Sequence, residues 1–133
     1  MTTISPETTG VTPASILAGA SSVLEQRGRC TDHYEIRDGQ VDAFGAMALA
    51  AGDDPGVWTA LCWERTHEWE EQDRALVAAG HFLADAATPG LCPPDMPVAD
   101  LVETLSIRLD AASDAEVYDA FTKAAHLAEQ EAA

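Results

Sequence analysis

The stretch TPASILAGASSVLEQRG, residues 12–28, carries the clearest structural signal in the chain. Thr12 precedes Pro13, and this pair is typical of a helix start, because the missing N–H of proline needs no partner in a first turn. Apolar residues then recur at steps of three and four, and Gly28 supplies the permissive backbone at which such a helix ends. The stretch therefore predicts an amphipathic helix over residues 13–27.

Similar signals predict helices further along the chain. Asp42 is expected to cap a second helix that ends at Gly52, because an aspartate side chain accepts hydrogen bonds from the free N–H groups of a first turn. A third helical stretch runs from Pro55 to residue 87. Its length leaves two alternatives open, one continuous helix or two helices of which the second is capped by Thr66.

Two more helices are predicted after the loop of residues 88–96, which is rich in proline and glycine. Pro97 begins the first of them, and its valines and leucines repeat at helical spacing. Ser113 and Glu116 form the capping-box pattern that starts the last helix, and an Ala-rich segment follows.

The segment of residues 33–41 departs from helical spacing. Apolar and polar side chains alternate there around the turn signal Asp38-Gly39, which predicts a short β-hairpin. Residues 1–12 hold mostly small and polar side chains and are expected to form a flexible tail. The predicted fold is all-α or mainly α, an irregular bundle of five to six helices in a single domain over residues 13–133.

Charge is the strongest compositional feature. The chain holds 23 acidic residues against 7 basic ones, a formal net charge of -16. Such a charge opposes direct contact with nucleic acid or anionic membranes and favours a protein partner that is basic or neutral. The sequence shows no signal-peptide pattern and no run of about 18 apolar residues, which predicts a cytoplasmic protein. Cys30, Cys62 and Cys92 form no CxxC pair and are expected to be reduced thiols.

Short motifs occur in a recognisable order between Ile16 and Gly52, and again near the C-terminal end. They are Arg27-Gly28 at the end of the first helix, Asp38-Gly39, Gly45-Ala46 in the next helix, and DAEVYDAFTKAA at residues 114–125.

With these motifs the chain resembles a family of short helical proteins, actinobacterial and phage-encoded, that is known only as a domain of unknown function. Arg29 stands where that family commonly has an aromatic residue, and the stretch from Trp58 to Pro94 lies outside the resemblance. The matching residues are helix-ending glycines, turn residues and core alanines. The resemblance therefore implies a packing pattern and brings no activity or cofactor with it.

Signatures of common enzymes are absent from the sequence. It contains no Gly-rich nucleotide loop, no Gly-x-Ser-x-Gly elbow and no paired metal-ligand motif, so no catalytic, cofactor-binding or metal-binding residue is assigned. One local cluster leaves a metal-dependent enzyme as an alternative, because carboxylates and imidazoles on facing helices can hold a divalent ion. Its members are Glu64, His67, Glu71 and His81.

Two tryptophans make the segment after Pro55 a candidate binding surface. Trp58 is expected to face the core, and Trp63 lies five residues further, about 140° around a helix, so the two cannot share one narrow apolar stripe. Either Trp63 faces a partner or it packs beneath the loop of residues 88–96. The candidate partner-binding residues are Trp63, Arg65, His67, Glu68 and Glu71.

Three functions remain open on this evidence. The first is a non-enzymatic acidic module for interaction or regulation, and the second is an inhibitor that mimics nucleic acid and occupies the basic groove of a DNA-binding or DNA-cutting protein. The mimic needs carboxylates in continuous rows at phosphate-like spacing. The third is the metal-dependent enzyme described above.

Overall fold

The computed structural model describes residues 11–30, 39–64 and 68–132. Within these ranges the chain forms six helices and no β-strand, which confirms the predicted all-α bundle. The helices are α1 (Pro13–Arg27), α2 (Ala43–Ala50), α3 (Val57–Trp63), α4 (Glu71–Ala87), α5 (Val98–Ala111) and α6 (Asp114–Ala132).

The first helix has the bounds that its sequence predicts. The Ser15 N–H donates to Thr12 Oγ1 over 3.1 Å, and the Thr12 N–H donates to Ser15 Oγ over 3.0 Å. At the other end Gly28 has a φ of 85°, a conformation that side chains with a Cβ rarely adopt. The helix therefore begins and ends where local chemistry favours it.

The second helix is short and almost wholly buried, so it lacks the polar face of a surface helix. It packs closely on α1, where a Cβ at Gly19 would lie only 3.1 Å from the Cβ of Ala50. It also receives Trp58 from α3, whose indole N–H donates to the Phe44 carbonyl over 2.7 Å. The two rings meet edge to face with centroids 4.9 Å apart.

The stretch from Pro55 to residue 87 forms two helices and not one. The second begins at Glu71, where the Glu70 N–H donates to Asp73 Oδ2 over 3.0 Å. The cap is therefore Glu70, and Thr66, the candidate that the sequence offered, lies outside the described residues. Glu64 has an extended backbone and residues 68–70 are not helical, which separates the two helices.

A tight corner joins the last two helices, and the Arg29 side chain forms hydrogen bonds with it. The predicted capping box is present, because the Glu116 N–H donates to Ser113 Oγ and the Ser113 N–H donates to Glu116 Oε1. The Arg29 guanidinium donates to the carbonyls of Leu109 and Ala112 and to Asp114 Oδ1 over 2.6–2.9 Å. This side chain thus ties the end of α1 to the α5–α6 corner.

The core lies where α1, α4 and α6 pack against one another, with α2 against α1 and α5 against α4. Its largest fully buried side chains include Trp58, Phe44, Phe121, Ile16, Leu17, Leu76, Leu83, Leu101 and Leu105. Among the helices that the structure describes, none has both the length and the apolar character that a membrane crossing requires.

The predicted hairpin near residues 33–41 falls largely outside the described residues. The backbone on either side of it pairs through one isolated bridge between Arg29 and Val41. The bridge is parallel, with the Cys30 N–H donating to the Val41 carbonyl and the Val41 N–H donating to the Gly28 carbonyl. The two segments therefore run in the same direction, whereas the arms of a hairpin are antiparallel.

Candidate functional site

The two tryptophans of α3 have opposite environments. Trp58 is 0% exposed, whereas Trp63, at the C-terminal end of the same helix, is 72% exposed. The alternative in which Trp63 packs beneath the loop of residues 88–96 is therefore wrong. An exposed indole of this extent leaves a large apolar surface in water, and tryptophan is enriched among residues that anchor interfaces.

Carboxylates surround the exposed indole along the chain. Glu64, Glu68, Glu70 and Glu71 are all exposed, and Trp69 is 36% exposed. None of these four carboxylates forms an ion pair within the described part of the chain. We name Trp63, Glu64, Glu68, Trp69, Glu70 and Glu71 the acidic-aromatic surface.

The connection between α3 and α4 positions this surface. Trp63 ends α3, Glu64 adopts an extended backbone with ψ of 107°, and Glu71 opens α4. Of the residues predicted to bind a partner, Trp63, Glu68 and Glu71 are exposed in this region, whereas Arg65 and His67 lie outside the described residues. Trp69 and Glu70 were not among the predicted partner-binding residues, and their exposure in the structure adds them to this surface.

The described residues show no metal site at the cluster proposed for a metal-dependent enzyme. The described ranges contain no group of three or more His, Cys, Asp or Glu side chains that could hold an ion, and His67 lies outside them. Glu71 and His81 are ten residues apart on α4, which separates them by about 15 Å along the axis. Burial lowers the pKa of His81, whose Nδ1 is buried without a hydrogen-bond partner among the described residues.

A second titratable group lies at the start of α2: the sequence predicted Asp42 as the cap of this helix, but not as a group with a shifted pKa. Asp42 is 6% exposed and accepts a hydrogen bond from the Gly45 N–H over 2.7 Å. Burial, together with the nearby Asp110 carboxylate, raises its pKa to about 7. Burial and the charge of Asp42 also raise the pKa of the Cys30 thiol, so this thiol is not activated as a nucleophile.

Comparison with models of known protein families gives one match, and this match covers most of the chain. A family model described as "Family of unknown function (DUF6197)" matches residues 8–127. The match runs continuously through the stretch from Trp58 to Pro94, which the motif resemblance did not include. No curated protein and no solved structure matches the chain. The acidic-aromatic surface must therefore be interpreted from its own chemistry.

Proposed function

The chain belongs to DUF6197, a family of unknown function, and we propose that it is a non-enzymatic interaction module of the cytoplasm. In this proposal the acidic-aromatic surface binds a protein segment that carries basic side chains beside an apolar pocket. The observation that carries the proposal is the 72% exposure of Trp63 in a chain that buries Trp58 completely.

The exposed indole can supply much of the binding energy. A tryptophan buries at least about 150 Å² when it is fully covered, and apolar burial contributes about 25 cal/mol per Å², so covering most of this side chain gives roughly 3 kcal/mol. That value matches the loss expected when a central aromatic of an interface is truncated. Trp63 therefore has the size and exposure of an anchor.

Charge determines which partner fits. Four exposed carboxylates lie within eight positions of Trp63 along the chain, and the whole chain carries a formal charge of -16. A basic segment gains a faster association from this field and ion pairs at the rim of the contact. These contributions weaken as salt is added, because exposed charges are screened over about 8 Å at physiological ionic strength.

The carboxylates at the start of α6 support this partner more than they support nucleic-acid mimicry. Asp114, Glu116 and Asp119 are exposed on α6, yet Glu116 and Asp119 lie about 200° and 140° around the helix from Asp114. Glu116 and Asp119 are thus about 60° apart and share a face, whereas Asp114 lies on another, so the three do not form the continuous row that a mimic of a phosphate backbone needs. The local cluster beside Trp63 combines charge with an aromatic anchor, as an interface with a protein does.

Site-specific photo-crosslinking tests the proposal. Benzoylphenylalanine placed at Trp63 in the native host is expected to give a discrete adduct with one protein of basic character. The matched control places it at Ile107, a side chain on α5 that is also strongly exposed, at 67%. No adduct at position 63, or the same adducts from both positions, would contradict a binding role for this surface.

A further inference from the structure

A second concave surface lies away from the acidic-aromatic surface, at one end of the contact between α1, α4 and α6. It is an open cavity of about 890 Å³. Its walls are the N-terminal half of α1, the C-terminal end of α4 with Pro89, and the stretch of α6 from Phe121 to Glu129. We name it the α1–α6 groove.

Small side chains form part of the walls of this groove. Ala18 and Ser21 line it from α1, Ala86 from α4 and Ala125 from α6, beside longer side chains of α6 such as Lys123 and Leu127. Leu17 and Phe121 lie beneath them and are completely buried, so the accessible apolar surface of the groove comes from the alanines, Pro89 and Leu127. Leu127 on the α6 wall is among the exposed large apolar side chains of the protein.

The dimensions of the groove fit a helix. Its α6 wall spans the nine residues from Phe121 to Glu129, whose eight rises correspond to about 12 Å or just over two helical turns. An amphipathic helix that enters such a groove inserts side chains spaced three or four residues apart, and two turns present about three of them. The small residues on the walls allow the backbone of an incoming helix to approach closely.

The charges at the rim of the groove indicate which kind of partner helix can bind there. Asp85 on α4 and Glu129 on α6 are exposed carboxylates on opposing walls. Lys123 also lines the groove, but its ammonium is 3.1 Å from Asp119 Oδ2 in an ion pair. The unpaired formal charge at the rim is therefore negative, which agrees with the charge of the whole chain.

From these observations we propose that the α1–α6 groove binds an amphipathic helix of a partner protein, with its apolar face on Leu127, Pro89 and the alanines of the walls and with basic residues against Asp85 and Glu129. This site is separate from the acidic-aromatic surface. Glu71 and Asp85 lie fourteen residues apart on α4, so the two surfaces are separated by about 21 Å along that helix. The two proposals can therefore fail independently.

The experiment uses a fluorescein-labelled synthetic helix built only from leucine and lysine, titrated with the full chain while fluorescence anisotropy is recorded. Ala18→Trp places a bulky side chain in the groove at an exposed position, and Thr122→Trp is a second blocking variant. Ala115→Trp is the matched control, because Ala115 is exposed on α6 outside the groove. Circular dichroism verifies that each variant is folded.

Each folded blocking variant is expected to bind the labelled helix with a Kd at least about tenfold higher than that of the wild type. The Kd of Ala115→Trp should stay within about twofold of the wild-type value. Glu129→Gln is expected to weaken binding more than Glu103→Gln, which removes the same charge from an exposed site on α5. Trp63→Ser should leave this affinity unchanged.

Four results would overturn the proposal. The first is no binding by the wild type, and the second is equal weakening by the blocking variants and by Ala115→Trp. The third is loss of binding through Trp63→Ser alone, which would assign the peptide to the other surface. The fourth is a dimer in sedimentation that Ala18→Trp dissociates, which would identify the occupant as a second copy of the chain.

Discussion

Replacement of Asp42 by asparagine tests the electrostatics of the core. The carboxylate caps α2 from a buried position, and its pKa is raised from 3.8 to about 7 by desolvation and by Asp110. Asparagine keeps an oxygen that accepts the hydrogen bond from the Gly45 N–H and caps helices as well as aspartate does. The substitution therefore removes the ionisation and leaves the cap.

The expected gain in stability depends on pH, and its sign follows from the raised pKa. In the unfolded chain the carboxyl ionises near pH 4, whereas in the folded chain Asp42 holds its proton until about pH 7. Between these values unfolding releases a proton, so the wild type loses stability as the pH rises. At about 1.4 kcal/mol per pKa unit, the loss approaches roughly 4 kcal/mol above pH 7 and vanishes below pH 4.

Urea unfolding at pH 4.5, 6 and 8 measures this difference. Asp42→Asn is expected to match the wild type within about 1 kcal/mol at the lowest pH and to exceed it by roughly 3–4 kcal/mol at the highest. The control is Asp54→Asn, in which an exposed aspartate that accepts the Gly56 N–H is replaced. A gain that is the same at all three pH values, or no gain at pH 8, would refute the reasoning.

The remaining predictions concern packing and the Arg29 contacts, and equilibrium unfolding in urea checks each. Arg29→Met should destabilise the fold by about 2–3 kcal/mol, because two carbonyls and a carboxylate lose their donor, and Arg29→Lys should restore only part of the loss; an Arg29→Met variant as stable as the wild type would show that these hydrogen bonds do not stabilise the fold. Trp58→Phe should cost about 1–3 kcal/mol, since the Phe44 carbonyl loses its partner, whereas Trp58→Ala should cost about 3–5 kcal/mol through its cavity; a Trp58→Phe variant as stable as the wild type would show that the hydrogen bond contributes nothing. Gly19→Leu should cost at least about 2 kcal/mol, because its Cβ would lie only 3.1 Å from that of Ala50 and the longer side chain would have to push α1 and α2 apart; a neutral effect would mean that α1 and α2 separate easily.

Local chemistry determines much of this fold, and those parts were predictable. Thr12 and Gly28 bound α1 through interactions within one turn, and Ser113 with Glu116 starts α6 in the same way. The inner faces of α5 and α6 follow from spacing alone. The burial of Trp58 was predicted as well, whereas the exposure of Trp63 was left open, because the angular separation excludes only a shared apolar stripe.

Features that depend on distant parts of the chain were not predictable from the sequence. Arg29 appeared only as a departure from the resembling family, and its role depends on carbonyls about 80 positions later. The start of α4 at Glu71 depends on which residues can pack against the core. The raised pKa of Asp42 and the α1–α6 groove arise from packing between helices, for which no local motif exists.

The most direct test of the central claim is the affinity of the partner crosslinked through position 63 for the wild type and for Trp63→Ala, measured by calorimetric titration. Because Trp63 is exposed, its truncation should leave the melting temperature nearly unchanged, unlike the truncation of the buried Leu105 in a Leu105→Ala control. The account predicts binding weaker by at least about 2 kcal/mol, a factor of about 30 in Kd. Equal affinity of the two proteins for the partner would contradict it.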